Sequence, residues 1–281
     1  MLFFVALRRL SDKKGMKGII LAGGTGTRLL PLTATTSKQL LPVYDRPMIF
    51  YPLNTLIKAG ITDILIIVAP EHSGHFLNLL GSMFQKFGIN LSFIVQKSPR
   101  GLAEAYILAE DFLDGESSTL VLGDNIFEDD FTESIRTFEH GGRIFAKQVT
   151  DPSRFGVVEF NGNHEVLSIE EKPVHPKSNF AIPGIYIFDH EAVKAAKGLE
   201  LSERGELEIT DLHRYYLQKG KLDVRVIGGG WFDTGTFDAL LEASLYAKEH
   251  GLTENVDPMI NQAIEEFNAE FKKFVSVKKV K

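Results

Sequence analysis

The sequence predicts an α/β fold built on a doubly wound mixed sheet. In the first half of the chain, short and continuously apolar segments such as residues 64–68 alternate with amphipathic segments. Strands that are buried on both faces have this continuous apolar character, and helices between such strands are typical of parallel sheets. In the middle of the chain, strand-like segments separated by turn residues favour antiparallel additions to the sheet.

The elements of the first half follow from these apolar patterns. They are strands at residues 17–22, 61–69, 91–95 and 119–122, and helices at residues 48–59 and 102–112. Ligands of doubly wound sheets bind beyond the carboxyl ends of the strands. The residues that directly follow each strand are therefore the first candidates for a site.

The second half is predicted to form a small antiparallel β extension followed by C-terminal helices. The strands are at residues 143–149, 156–160, 165–170 and 181–188, and the helices at residues 190–197, 208–218, 237–250 and 258–274. The whole is a Rossmann-like architecture in one main unit. We expect an N-terminal extension over residues 1–15, a catalytic domain over residues 16–250 and a helical segment over residues 251–281.

The composition is that of an ordinary globular protein and excludes several functions. Of the 281 residues, 44% are hydrophobic and 24% are charged, and the net charge of -6 argues against a nucleic-acid-binding surface. The absence of cysteine excludes disulfides, thiolate metal sites and cysteine nucleophiles. Because no apolar segment reaches the length of a membrane helix, we expect a cytoplasmic protein with no nucleic-acid or membrane partner.

A glycine-rich segment follows the first predicted strand and indicates phosphate binding. It contains Gly23, Gly24 and Gly26, and two cations, Arg28 and Lys38, come after it. Glycine leaves backbone N–H groups accessible to an anion, and the cations neutralise its charge. The segment differs from the common P-loop and from the dinucleotide fingerprint, whose glycine spacing it lacks. The alternative is a glycine-rich strand-to-helix turn without a ligand.

Two carboxylates stand at the abrupt ends of apolar segments. Asp124 follows the strand at residues 119–122, and Asp233 lies in the segment 231–236. One such carboxylate is usually a turn or cap residue. Magnesium, however, is commonly held by one or two carboxylates together with substrate phosphates. Beside a phosphate-binding loop, the pair therefore predicts a Mg²⁺ site.

Three further segments carry groups that suit a phosphate monoester. Glu171 and Lys172 precede a proline that ends their strand, Tyr186 follows a Pro-Gly pair, and Arg204 lies in an acidic segment. A tyrosine hydroxyl and a guanidinium fork both bind phosphate oxygens well. Each segment alone is equally consistent with a charged strand end, a turn or a helix cap.

Taken in order, these segments resemble the sugar nucleotidyltransferases, and within them the glucose-1-phosphate thymidylyltransferases. The resemblance covers residue 16 to about residue 250. The motifs that carry it are residues 23–29, 31–33, 37–42, 122–125, 170–173, 204–211 and 233–236. Ser37-Lys38-Gln39 discriminates most sharply, because relatives that form mannose nucleotides or ADP-glucose tend to have a lysine-proline pair there.

The resemblance implies a role for each matching residue. Nucleotide-binding residues would be Leu21, Gly23, Gly24, Gly26, Thr27, Arg28, Lys38, Gln39, Gln96, Gly101 and Asp124. Residues that bind the sugar phosphate would be Asn125, Gly156, Glu171, Lys172, Gly184, Tyr186 and Arg204. Asp124 and Asp233 would hold Mg²⁺, and the catalytic residues would be Arg28, Lys38, Asp124 and Lys172. Among the nucleotide-binding residues, Gln39 and Gln96 would contact the deoxyribose and the thymine edge.

The resemblance also implies the reaction and its partners, dTTP and glucose 1-phosphate. A phosphate oxygen of glucose 1-phosphate would attack the α-phosphorus of dTTP in line, and pyrophosphate would leave. Because this oxygen is already anionic near neutral pH, no general base is required. The protein must align two anions that repel each other and neutralise the charge on the leaving group.

The sequence leaves two alternative functions open. A uridylyltransferase that uses UTP differs only in a methyl contact, which is worth about 1 kcal/mol. A non-catalytic nucleotide sensor is the second, although the complete set of cations and carboxylates argues against it.

After His250 the chain does not match the tail that builds the tetramer and a regulatory site in longer members. A homo-oligomer, dimer or tetramer, is still expected because family members associate.

Overall fold

The computed structural model describes residues 15–278, and within them a ten-stranded mixed sheet forms the centre of the molecule. The strands are β1 (Met16–Ala22), β2 (Pro42–Val43), β3 (Arg46–Pro47), β4 (Asp63–Val68), β5 (Asn90–Val95), β6 (Ser117–Leu122), β7 (Asn125–Phe127), β8 (Gly142–Gln148), β9 (Gly156–Phe160), β10 (Val166–Glu171), β11 (Phe180–Ile182), β12 (Ile185–Phe188), β13 (Leu222–Val226) and β14 (Trp231–Asp233). The predicted fold class, a mixed sheet with an antiparallel extension and C-terminal helices, is confirmed.

The predicted helices are found near their predicted positions, and two further short helices, the second and fifth in chain order, were not predicted. They are α1 (Phe50–Lys58), α2 (Ser73–Leu80), α3 (Glu104–Leu108), α4 (Glu110–Leu113), α5 (Thr132–Arg136), α6 (Glu191–Lys197), α7 (Ile209–Gln218), α8 (Phe237–Glu249) and α9 (Pro258–Lys278). The predicted single helix over residues 102–112 is instead two short helices, α3 and α4. Ala109 at their junction has φ -85° and ψ 0°, which is outside the α-helical region, and this interrupts the helix.

The parallel half of the sheet has the strand order β5-β4-β1-β6. All three of its pairs are parallel, with Gly18 of β1 opposite Ile64 on one side and opposite Thr119 on the other. From β1 the chain proceeds outwards to β4 and β5 and then returns to β6 on the opposite side. The carboxyl ends of β1 and β6 therefore border the topological switch point, where doubly wound sheets bind their ligands.

The antiparallel extension is continuous with this sheet. β12 pairs with β6 on one side and β8 on the other, and β11, β9 and β10 continue outwards. The strand predicted over residues 181–188 is divided into β11 and β12 at Pro183-Gly184, because proline has no N–H for the ladder. Both halves pair with β8, but β11 has β9 as its second neighbour and β12 has β6. A cavity lies beside the break.

Helices cover both faces of the sheet, as the continuous apolar strands require. Ile20 and Ile66 belong to the apolar core that includes α1, whereas Ile19 and Ile67 belong to the core that includes α7. Successive side chains of a strand point to opposite faces, which explains this division. Among residues 15–278, no helix is both long and apolar enough to cross a membrane.

The predictions for the two ends of the chain have different outcomes. The predicted extension over residues 1–15 lies outside the described residues, apart from Gly15. Helix α9 continues to Lys278, four residues beyond its predicted end. Among the described residues, five strands were not predicted: β13, and the two- or three-residue strands β2, β3, β7 and β14, which are too short to show periodicity.

Candidate active site

The site begins at the carboxyl ends of the parallel strands. Gly23 follows β1, Gln96 follows β5 and Asp124 comes two residues after β6. The N–H of Gly123 donates to the carbonyl of Leu21 at 2.9 Å, which extends the pairing of β1 and β6. A nucleotide at this edge would therefore lie against the glycine loop and Asp124 together.

The glycine loop is held in a conformation that only some residues tolerate. Gly26 has φ +62°, and its carbonyl accepts a hydrogen bond from Thr33 Oγ1 at 2.9 Å. A Cβ at Gly26 would approach Thr33 and Lys38 closely, whereas a Cβ at Gly24 would meet no atom within 4 Å. The loop is thus packed on one side and open on the other, as a phosphate-binding loop requires.

Lys38 and Asp124 form an ion pair between the two strand ends. Lys38 Nζ lies 2.6 Å from Asp124 Oδ2, and the Lys38 side chain is only 7% exposed. The other oxygen, Asp124 Oδ1, accepts a hydrogen bond from Asn125 Nδ2 at 3.0 Å. The geometry therefore joins the predicted phosphate-binding lysine to the predicted metal ligand.

Asp233 is brought beside Asp124 by the pairing of β7 with β14. Asp233 is opposite Asn125 in this pair, and both Thr234 N and Thr234 Oγ1 donate to the carbonyl of Asp124. Burial raises the pKa of the Asp233 carboxyl, and the negative charge of Asp124 raises it further, while Lys38 and Arg28 oppose this rise. Two neighbouring carboxylates of this kind gain from a cation between them.

The donor set fits a divalent cation of the magnesium type. Residues 15–278 contain no group of three or more His, Cys, Asp or Glu side chains with metal-binding geometry. A hard cation that also takes oxygen ligands from phosphates and water needs only one or two carboxylates. Asp124 and Asp233 supply such a pair.

Arg28 reaches the same carboxylates from the glycine loop. Its guanidinium lies against the backbone of Gly235, where an added Cβ would be 2.7 Å from Arg28 Nη2. The position after the β14 turn must therefore lack a side chain for Arg28 to lie there. Arg28 and Lys38 thus both act with positive charge on Asp233.

A cavity of about 450 Å³ extends from this pair towards the antiparallel extension. Nine of the predicted residues line it: Arg28, Asp124, Asn125, Gly156, Glu171, Lys172, Gly184, Tyr186 and Asp233. The cavity lies beside the break between β11 and β12. The structure thus brings together residues that are more than 200 positions apart in the sequence.

Hydrogen bonds fix the polar groups on the cavity wall. Asn125 Oδ1 accepts from Gly184 N at 3.0 Å and from Trp231 Nε1 at 2.7 Å, which holds its amide in one orientation. Glu171 Oε1 lies 3.7 Å from Lys172 Nζ. Burial raises the pKa of Glu171 despite the nearby lysine. Tyr186 is buried, which also raises its pKa, so its phenol stays protonated at neutral pH.

Arg204 lies at the edge of this arrangement. Its guanidinium donates to both carboxylate oxygens of Glu208, at 2.9 and 2.8 Å, and pairs with Glu206. It contacts the cavity through Glu171 Oε1, at 3.5 Å, and does not line the wall itself. Binding of a phosphate by Arg204 would therefore compete with three carboxylates.

The remaining predicted nucleotide residues surround the glycine loop, outside the cavity. Leu21 and Gln39 are buried, and Gln39 Oε1 accepts from Ser37 Oγ at 2.6 Å. Gly101 has φ +106° and packs against the backbone of Leu207. Thr27 is exposed at the start of the turn that carries Arg28.

Several cavity residues were not singled out from the sequence. They are Leu102, Leu122, Arg154, Phe155, Ile182, Ile209, Thr210, His213 and Trp231. Arg154 precedes Gly156, and its charge acts on Asp233. His213 is fully buried, which lowers its pKa to about 3, so its imidazole is neutral. A polar residue on the buried face of amphipathic helix α7 was the signal that could have found His213.

Comparison with known proteins places this site in a family. Residues 17–250 match the nucleotidyl transferase family. A Neisseria meningitidis protein named glucose-1-phosphate thymidylyltransferase is 54% identical over 239 residues, which are 83% of each chain. A protein of the same name from Mycobacterium tuberculosis is 50% identical over 238 residues, 83% of this chain and 82% of that protein.

Solved structures agree with this placement. A Bacillus anthracis structure described as a glucose-1-phosphate thymidylyltransferase in complex with sucrose is 42% identical, with a TM-score of 0.81 over 88% of this chain and 99% of that chain. A UDP-glucose pyrophosphorylase, at 23% identity and a TM-score of 0.74 over 84% of this chain and 99% of that chain, shares the fold. The chain therefore belongs to the nucleotidyl transferase family and, within it, to the glucose-1-phosphate thymidylyltransferases.

Proposed function

We propose that this protein transfers a thymidylyl group from dTTP to α-D-glucose 1-phosphate and releases pyrophosphate. The observation that carries the proposal is the Lys38–Asp124 pair, which lies between the open glycine loop and the cavity. A triphosphate on the loop and a sugar phosphate in the cavity would meet at this pair. Relatives at 50–54% identity carry the name of this activity.

The cavity provides the sugar-phosphate subsite. Its volume of about 450 Å³ is large enough for a hexose phosphate, and Lys172 and Arg154 supply positive charge to its wall. Asn125, Glu171 and the backbone at Gly184 offer polar groups for the sugar hydroxyls. More than half of the residues that line the cavity are charged or polar, which suits a charged ligand with several hydroxyl groups.

In the chemical step, a phosphate oxygen of glucose 1-phosphate forms a bond to the α-phosphorus of dTTP. The bond from that phosphorus to the pyrophosphate oxygen breaks, and its electrons leave with pyrophosphate. Arg28 and Lys38 neutralise the charge that develops on the leaving group, and the fixed walls align the two anions. The attacking oxygen is already anionic, so no residue has to remove a proton.

We propose Mg²⁺ as the divalent ion, held by Asp124 and Asp233 together with phosphate oxygens and water. When bound, it adds Lewis-acid neutralisation of the reacting phosphates. Support comes from the two adjacent carboxylates: burial and, after it, the negative charge of Asp124 raise the pKa of Asp233. Oxygen ligands of this kind suit Mg²⁺ better than softer metals.

The proposal includes the division of the chain into domains. We infer a catalytic domain over residues 16–250 followed by a helical segment over residues 251–281, supported by a family match that ends at residue 250.

A homo-oligomer is supported by three exposed apolar side chains in one row of α8, namely Phe237, Leu241 and Leu245. A cytoplasmic location is supported by the cysteine-free composition.

The stereochemical course of the reaction tests this function. The protein is given glucose 1-phosphate and dTTP that carries sulfur at the α-phosphorus in one configuration. We expect pyrophosphate release and a dTDP-glucose product with inverted configuration, because one in-line displacement inverts the phosphorus. A reaction without glucose 1-phosphate is the control and should release no pyrophosphate. Retention would mean two displacements through a covalent intermediate, and no product would contradict the function itself.

A further inference from the structure

A buried carboxylate lies behind the residue that is expected to contact the base. Glu104, the first residue of α3, is only 6% exposed, and it faces Gln96 at the end of β5. Gln96 Nε2 donates to Glu104 Oε2 at 2.7 Å, and both side chains are buried. The backbone of Gln96 is fixed as well, since its N–H donates to the carbonyl of Val68 at 2.9 Å.

The Glu104 carboxylate is the acceptor in each side-chain hydrogen bond that the structure describes for it. Arg100 Nε donates to Oε1 at 2.8 Å, and the Arg100 backbone N–H donates to Oε2 at 3.1 Å. An ionised carboxylate has no proton to donate. The amide of Gln96 can therefore meet Glu104 only through its NH₂ group, and the opposite orientation would place two acceptors together.

The carbonyl oxygen of the fixed amide faces the glycine loop. Gln96 Oε1 lies directly over Gly23, so closely that a Cβ at Gly23 would collide with it. Gly23 is the first glycine of the loop that follows β1. The structure thus places a hydrogen-bond acceptor of fixed orientation beside the loop.

We propose that Glu104 is a positioning residue that selects the base by fixing the amide of Gln96 with its acceptor towards the nucleotide. This inference rests on the proposed function and on the base contact that the family resemblance implies for Gln96. Thymine and uracil carry an N–H donor at ring position 3, which a carbonyl oxygen accepts. Cytosine has an acceptor at that position, so Gln96 Oε1 would face another lone pair. Glu104 accordingly excludes cytosine nucleotides but does not distinguish thymine from uracil.

The variant Glu104→Gln tests this role with almost no change in shape. A glutamine at this position can donate or accept, so the Gln96 amide can turn over and present its NH₂ group instead. We expect the ratio of kcat/KM for dTTP to that for dCTP to fall about tenfold or more, since a fixed polar partner is lost. The ratio of dTTP to UTP should stay unchanged, because both bases carry the same donor.

Two further variants make the result specific. In the double variant Gln96→Glu with Glu104→Gln, residue 96 is again acceptor-only towards the base, and the dTTP to dCTP ratio should return to within about threefold of wild type. This double variant keeps the inference testable if the single variant does not fold. The matched control is Glu110→Gln on α4, an exposed acid paired with Lys197, which should leave both ratios unchanged.

Several results would overturn the inference. One is an unchanged dTTP to dCTP ratio in Glu104→Gln, and another is an equal loss for dTTP, UTP and dCTP, which indicates a purely structural role. A double variant that keeps a low dTTP to dCTP ratio would do the same. The two proposals fail separately: a wild-type protein inactive with dTTP contradicts the function, whereas active wild type with unaltered selectivity in the variant contradicts only the role of Glu104.

Discussion

Replacing Asp124 with asparagine lowers kcat by about 10³-fold or more while the protein keeps its fold. Asp124 pairs with Lys38 at 2.6 Å and adjoins Asp233, so its charge serves both the lysine and the proposed cation. Removing one preorganised electrostatic group from an active site costs about 10²–10³ in kcat. Loss of a metal ligand at the same atom adds to that loss, and added Mg²⁺ should not restore turnover.

The measurement is pyrophosphate release from dTTP and glucose 1-phosphate at saturating substrates. The matched control is Asp238→Asn, an exposed acid on α8 away from the cavity, which should retain wild-type kcat. Asp124→Asn also leaves the buried Lys38 ammonium with an uncharged partner, which costs about 1–3 kcal/mol of stability. Thermal unfolding should show this cost as a lower Tm. Full activity in Asp124→Asn would refute the role of this carboxylate.

Replacing Lys38 with alanine lowers kcat by about 10²–10³-fold and weakens the binding of dTTP. Lys38 is the buried cation between the glycine loop and Asp124, so no water or surface lysine can take its place. Its charge is needed most when the negative charge moves onto pyrophosphate, which makes the loss in kcat larger than that in KM. Steady-state kinetics with varied dTTP separates the two effects.

The same variant should have a characteristic pH dependence of stability. Without Lys38, Asp124 and Asp233 repel each other with less compensation. The pKa of Asp233 is already raised in the folded protein, so protonation relieves this repulsion as the pH falls and ionisation restores it as the pH rises. Without divalent cations, the Tm deficit of Lys38→Ala should therefore be larger at pH 8 than at pH 5. Lys58→Ala, which breaks a half-exposed pair with Asp130, is the control, and a deficit independent of pH would contradict this explanation.

The sequence predicted the parallel half of the fold well, because each of its strands is a continuously apolar segment. β1, β4 and β6 appear at their predicted places. In contrast, β7 and β14 are three-residue strands that form only by pairing with each other across about 100 residues. Tertiary contacts of this range leave no periodic pattern in either segment.

Some residues of the candidate site could likewise be predicted from the sequence, and others could not. The residues after β1 and β6 could be found, because strand ends at a switch point are natural ligand sites. Arg154 could not, since it looks like an ordinary loop residue until the antiparallel extension closes around the cavity. For Arg204, the resemblance suggested a phosphate contact, but the folded chain surrounds this residue with Glu171, Glu206 and Glu208.

The most direct test of the central claim is a panel of nucleoside triphosphates with glucose 1-phosphate and Mg²⁺, followed by pyrophosphate release. We expect dTTP to give the highest kcat/KM. UTP should follow, because uracil lacks only the methyl group and its loss costs about 1 kcal/mol. ATP, GTP and CTP should give at most a few per cent of the dTTP value. Turnover with ATP or GTP alone would contradict the assignment of this site to thymidylyl transfer.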